Sequence, residues 1–207
     1  MRSLRLDEVE GIPVLETLVW KPVRKTLGVT AFGINAYTGA NAGDEVVEDH
    51  TESGLGHEEI YIVLSGRATF TVDGTELDAP AGTLVYLDDP EQRRHAVAAE
   101  PETTVLAIGG VPGAHEVSAW EYYFPALPYM RAGDYPTARR IIEEGLAQKP
   151  EHPALLYNLA CCEALAGERE AALEHVAAAV AADERYRESA KRDEDLASIR
   201  DDPRFPA

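Results

Sequence analysis

Apolar and polar positions change their period partway along the chain. From about residue 12 to 111, short alternating or apolar runs are broken by turn residues, the pattern of β-strands. The predicted strands are Val14–Trp20, Thr26–Tyr37, Ile60–Leu64, Ala68–Val72, Thr83–Leu87 and Thr103–Ile108. Asp73-Gly74 predicts a tight hairpin between its flanking runs, because a two-residue turn of that kind needs positive φ at both centres. Pro80-Ala81-Gly82 and Asp88-Asp89-Pro90 predict two more turns. Strands that follow one another with no helix between them point to an all-β barrel or sandwich.

After Val111-Pro112-Gly113 the composition turns to Ala, Leu, Glu and Arg, with glycine and proline confined to boundaries, which predicts helices. Gly133 and Gly167, Ala138 and Ala172, and Gly145 and Ala179 each stand 34 residues apart, the period of a helix-turn-helix repeat. Two domains are expected, residues 1–113 and 114–207.

Charge narrows the partners. The 207 residues carry 37 acidic and 19 basic side chains, a net charge of −18. Such a surface repels phosphate backbones and anionic lipid, so neither nucleic acid nor membrane is expected as a partner. No apolar run approaches the roughly 20 residues that cross a bilayer. Met1–Glu10 alternates charge where a secretion signal needs a hydrophobic stretch, so a cytoplasmic location is expected. The two cysteines, Cys161 and Cys162, are neighbours and form no disulfide framework; they are expected as reduced, helix-packing thiols. No nucleophile elbow, phosphate-cradling loop or dinucleotide fingerprint occurs, which argues against serine acyl transfer, nucleotide hydrolysis and nicotinamide chemistry.

The candidate chemistry lies in residues 43–66. Side chains alternate across a strand, so His57, Glu59, Tyr61 and Val63 share one face and Glu58, Ile60 and Ile62 the other. If the first face looks into a barrel, Glu59 must be paired, metal-bound or functional, because an isolated buried carboxylate is costly. A shift of one residue would place it in solvent instead. Glu48 and His50 have the same two-residue relation on the strand before. Imidazole and carboxylate converging on one point suit zinc, iron, manganese or nickel. His50, His57 and Glu59 are the candidate metal ligands, with His95 or Glu48 completing the set. A reading without metal makes His57 a base oriented by Glu59, with Tyr61 or Tyr37 as the acid. Arg93 and Arg94 read as solvated charges pairing with local acids, or as carboxylate-recognition groups at a barrel mouth. His115, His152 and His175 suggest no site.

The run His57-Glu58-Glu59-Ile60-Tyr61-Ile62-Val63-Leu64-Ser65-Gly66 resembles the first motif of the cupin superfamily, of the cupin 2 conserved barrel type, where a glutamate precedes a glycine as Glu59 precedes Gly66. Arg67–Gly74 and Pro80–Leu87 are similar to the strands that follow it. The resemblance implies a double-stranded β-helix, or jelly roll, whose open end holds a small molecule and frequently a divalent metal on three histidines and one glutamate. Ser53 and Leu55 stand where the family's histidine pair would fall. With Thr51–Gly56 taken as an insertion, Glu48 and His50 replace them, and the family's third histidine falls near His95.

Leu156-Tyr157-Asn158-Leu159-Ala160, with Gly167, Ala172, Ala179 and Asp183, resembles the tetratricopeptide repeat. The copy before it keeps Gly133-Asp134-Tyr135, Ala138, Ile142 and Pro150, while Pro125 and Pro128 are expected to interrupt its first helix, Trp120–Met130. Arg187–Ile199 is expected to cap the end. So few copies leave apolar faces to be covered by the barrel or a second subunit, or open as a groove for a protein partner. The expected fold is an α+β chain in two parts, an all-β jelly-roll barrel followed by an all-α helical-hairpin repeat domain. The expected function is small-molecule binding with a divalent metal in the barrel, including dioxygenase or isomerase chemistry. The alternatives are a non-catalytic scaffold whose helices recruit a partner, and a metal-free isomerase or epimerase using His57 and Tyr61. A homodimer is expected, since barrels of this family pair through their sheets and Ile60, Ile62 and Leu64 on the outer face need cover.

Overall fold

The computed structural model describes residues 3, 5–14, 17–115 and 118–206. It divides into two compact units, Met1–His115 and Glu116–Ala207.

The first unit runs β1 (Ile12–Pro13), β2 (Val19–Lys21), α1 (Val23–Leu27), β3 (Gly33–Gly39), β4 (Glu45–His50), β5 (Glu58–Ser65), β6 (Arg67–Val72), β7 (Thr75–Pro80), β8 (Leu84–Leu87), β9 (Arg94–Ala98) and β10 (Thr103–Gly110). Antiparallel pairing builds two sheets, ordered β1-β2-β3-β10-β5-β8 and β4-β9-β6-β7. Their inner faces supply the core: Tyr61, Val63, Val85, Val105 and Ala107 from one, Val47, Ala68, Phe70, Ala96 and Ala98 from the other. Tyr61 and Phe70 meet across the interior with ring centroids 5.7 Å apart, a contact adding about 0.5–1.5 kcal/mol beyond area burial. Asp73 and Gly74 both have positive φ, 48° and 80°, and close the β6–β7 hairpin as expected.

Two predicted strands differ. The run Thr26–Tyr37 begins inside α1, because Gly28 takes a left-handed φ of 71° and ends a short helix before the chain extends into β3. Of Val14–Trp20, Val19 and Trp20 lie in β2, while Leu15 and Glu16 fall outside the described residues. Gly66, seven places after Glu59, has φ of 69° and presses on β10, where a Cβ would stand 2.3 Å from Thr103 Oγ1. That crowding explains a glycine at this motif position.

The second unit contains α2 (Trp120–Ala132), α3 (Tyr135–Gln148), α4 (Pro153–Ala166), α5 (Arg169–Ala182) and the short α6 (Arg185–Ala190). α2 with α3 and α4 with α5 form two successive hairpins. α4 is central: Leu155, Leu159, Ala160, Cys161 and Cys162 are all buried, and both cysteines are free thiols. Pro125 and Pro128 do not interrupt α2, which continues through both to Ala132. Each proline removes a helical N–H bond, a loss that burial of Ala126 and Met130 against the neighbouring helices offsets. Gly145 lets α3 approach α2 closely, since a Cβ there would lie 2.6 Å from Tyr122 Cγ. Leu196, Ile199 and Phe205 pack into the same core and cap the last hairpin. Among the described residues, no helix is long and apolar enough to cross a membrane.

Candidate functional site

The barrel encloses an open cavity of about 550 Å³ at one end of its interior. The inward phase of β5 puts Tyr61 and Val63 in the core, with Glu59 one step nearer the opening and His57 just before the strand. Gly109 on β10 pairs with Glu59, and a Cβ there would stand 3.1 Å from Glu59 Cγ, so glycine leaves room for the carboxylate. His50 reaches the same cavity from the end of β4. Glu52 follows it at the start of the 51–56 turn, where its backbone N–H donates to the Pro90 carbonyl at 2.9 Å.

These side chains form one electrostatic group. His50 Nε2 lies 3.4 Å from Glu52 Oε1 and 3.9 Å from Glu59 Oε2, and His57 Nδ1 lies 3.6 Å from Glu52 Oε2. One ligand atom each from His50, Glu52 and Glu59 falls within 4.8 Å of the others. The other ring nitrogen of His50, Nδ1, sits 2.8 Å from the Glu48 carbonyl oxygen. A carbonyl only accepts, so Nδ1 carries the hydrogen and Nε2 is turned toward the carboxylates. The Tyr61 hydroxyl donates to Glu59 Oε2. Burial pushes the Glu59 carboxyl above the usual carboxylate range; the Tyr61 hydrogen bond opposes this, Glu52 adds to it, and Arg94 and His50 oppose it. Burial and the Glu59 charge push the Tyr61 phenol upward, so it keeps its proton. Tyr37, also lining the cavity, is pushed up to about 12 by burial and then by Glu48, Glu59 and Glu52.

Of the residues singled out in the sequence, His50, His57, Glu59, Tyr61, Tyr37 and Glu48 line the cavity. His57 reaches Glu52 and stands outside the tightest trio. The Tyr61 hydroxyl is committed to Glu59 on a side chain only 1% exposed, which makes it a positioning group. His95 is not with them. It lies on the opposite face of β9, with Nε2 3.3 Å from Glu45 Oε1. The inward phase of β9 is Arg94, Ala96 and Ala98, so expecting His95 as a ligand missed by one residue. Arg94 is likewise not a solvated charge: it is fully buried, with Nε 3.8 Å from Glu59 Oε2. Arg93 does pair on the surface, with Asp49 at 2.7 Å. Glu52 was missed, although it continues the two-residue spacing of Glu48 and His50.

Three buried polar atoms in this group, Glu52 Oε2 and Arg94 Nε and Nη2, have no hydrogen-bond partner among the described residues. Buried polar atoms are rarely left so. Of these atoms only Glu52 Oε2 is an acceptor that a cation would satisfy, while the two Arg94 atoms are N–H donors that call for an acceptor. Three carboxylates, Glu48, Glu52 and Glu59, line the cavity, and with His50 they suit a divalent cation.

The strand order and cavity define a double-stranded β-helix of the cupin type, joined to helical hairpins of the tetratricopeptide type. Residues 129–191 match the tetratricopeptide repeat family model. Among solved structures, the chain is similar to a cupin protein from Bacteroides fragilis (25% identity, 54% of this chain and 91% of that chain, TM-score 0.40). It is also similar to a cupin-superfamily sugar phosphate isomerase from Silicibacter pomeroyi (16% identity, 52% and 74%, TM-score 0.44). A third is KdgF from Halomonas sp. (17% identity, 50% and 86%, TM-score 0.40). No curated protein matches the sequence.

Proposed function

We propose that the barrel binds a divalent metal ion through His50 Nε2 and the carboxylates of Glu52 and Glu59, and that the cavity admits a small molecule beside it. The observation that carries this reading is the trio of ligand atoms within 4.8 Å of one another, with the His50 tautomer fixed by the Glu48 carbonyl. One nitrogen and two carboxylates suit manganese, iron, zinc or nickel. A metal there supplies Lewis acidity toward a carbonyl or hydroxyl oxygen. The protein's own groups prepare the site. Tyr61 orients Glu59, the Pro90 carbonyl tethers the backbone beside the Glu52 side chain, and His57 faces Glu52 from the other side. Tyr37 keeps its proton near neutral pH and supplies a donor to the ligand.

Calorimetric titration of chelator-stripped protein with manganese and with zinc tests this. One site is expected for wild type, lost in His50→Ala and weakened in Glu52→Gln. A wild-type protein that takes up neither ion overturns the reading.

A metal-free reading rests on His57 beside Glu52: His57 is the base and Tyr37 the acid of an isomerase. It requires turnover that survives chelator and fails in His57→Ala. A partner-recruiting role for the helices rests on α2, where Trp120 and Phe124 stack at 4.9 Å while 55% and 57% exposed. A homodimer rests on the outer face of the larger sheet, where Ile34, Ile108, Ile60 and Tyr86 stand in register across β3, β10, β5 and β8. Light scattering on wild type and Ile60→Lys reads this directly; a monomeric wild type removes it.

A further inference from the structure

The cavity is divided chemically. Glu52 and Glu59 side chains in it are only 14% and 12% exposed. Three large apolar side chains that also line it stand far more open: Phe32 at 46%, Leu55 at 67% and Val111 at 57%. They come from separate places in the chain: the approach to β3, the 51–56 turn and the residue after β10. Isolated surface hydrophobics need no explanation, but three meeting around one opening mark a surface built to be covered. Cations that would hold a phosphate are few among the described residues: Arg24 lines the cavity, and the buried Arg94 stands beside Glu59. No lysine lines the cavity among the described residues, and the lining residue Arg24 directs Nη1 to the Val29 carbonyl at 3.2 Å.

We infer that the ligand is amphipathic, an α-hydroxy acid whose two oxygens reach the acidic floor and whose apolar ring or chain lies against Phe32, Leu55 and Val111. The head rests on the proposed metal site, where three protein ligands leave positions for a chelating pair of oxygens. The apolar body does not depend on it. Asn35 and Tyr37, both lining the cavity, supply donors to the head. A cavity of about 550 Å³ holds a ligand carrying one aromatic ring. Sugars and sugar phosphates, which have no apolar body, would leave the rim uncovered.

The test is calorimetry on manganese-loaded full-length protein with three probes: mandelate, lactate and ribose 5-phosphate. Mandelate is expected to bind at least about tenfold more tightly than lactate, as a filled apolar subsite requires, and ribose 5-phosphate more weakly than both. In the double variant Phe32→Ser, Val111→Asp the gap between mandelate and lactate closes while manganese uptake stays at the wild-type level. Equal affinities for mandelate and lactate, no binding of mandelate, or tightest binding of ribose 5-phosphate each overturn the inference. Failure to take up manganese overturns the metal reading instead. Mandelate and lactate are then compared on the metal-free protein, where no preference for mandelate overturns the apolar half as well.

Discussion

The buried carboxylates of the helical unit and of the barrel differ in how completely they satisfy themselves. In the helical unit, Glu163 is 2% exposed and spends both oxygens, one on Arg139 Nη2 at 2.6 Å and the other on His175 Nδ1 at 2.7 Å. In the barrel, Glu52 and Arg94 keep buried polar atoms that make no hydrogen bond, and two carboxylates crowd one imidazole. The helical group is finished when the fold forms. The barrel group is finished only by something that enters it. Burial of charge alone therefore does not mark a functional site; burial with unspent bonding capacity does.

The sharpest way to break this contrast is to remove the acid from the finished group. Glu163→Ala is expected to cost the helical unit about 1–3 kcal/mol in denaturant unfolding, since it takes the carboxylate partner from His175 and leaves Arg139 only Glu143 and Glu168. A loss near zero would mean that the helical group is as dispensable to the fold as the barrel group is expected to be. The corresponding change in the barrel goes to binding: His50→Ala is expected to abolish calorimetrically detectable manganese uptake with little change in unfolding midpoint. Glu52→Gln sharpens the point, because easing the repulsion with Glu59 is expected to raise barrel stability by about 0.5–1 kcal/mol while weakening the metal.

pH separates the groups more gently. The Glu163 hydrogen bond raises the His175 pKa above 6.5, with burial opposing it. Folded His175 therefore holds its proton more tightly than the unfolded chain does. Its contribution is full below about pH 6.5 and fades as pH rises through the higher folded value. Unfolding midpoints of wild type and His175→Gln are expected to converge across that window. The smallest effect is expected at His95, which faces away from the cavity: His95→Ala should leave manganese affinity within about twofold of wild type, and a larger drop would put it back in the site.

Much of the barrel could be read in advance, because strand alternation and turn residues are local signals. The phase of β5 followed from His57, Glu59, Tyr61 and Val63, and the β6–β7 hairpin from Asp73-Gly74. The phase of β9 did not. His95 is expected in the cavity only because the family's third histidine falls near it, and alternation in Arg93-Arg94-His95-Ala96-Val97-Ala98 fixes neither phase. Ala96 is inward instead, paired with Phe70, whose ring fills the interior and leaves space only for small neighbours. That fact belongs to the opposing strand. Glu52 was hidden for a related reason: it lies past the end of β4, in a turn whose position depends on a bond to Pro90 far along the chain. The proline pair in α2 shows the same priority in the helical unit, where tertiary burial overrides a local breaker.

β4 and β5 lie in different sheets, and His50 ends one strand while Glu59 is the second residue of the other. An ion gripped by both would rivet the mouth of the barrel shut between its two walls. Melting temperature then becomes a gauge of free metal, climbing with its logarithm and amounting to about 2.7 kcal/mol at a hundredfold excess over the dissociation constant. Chelator would loosen the barrel's melting and leave that of the helices where it stood.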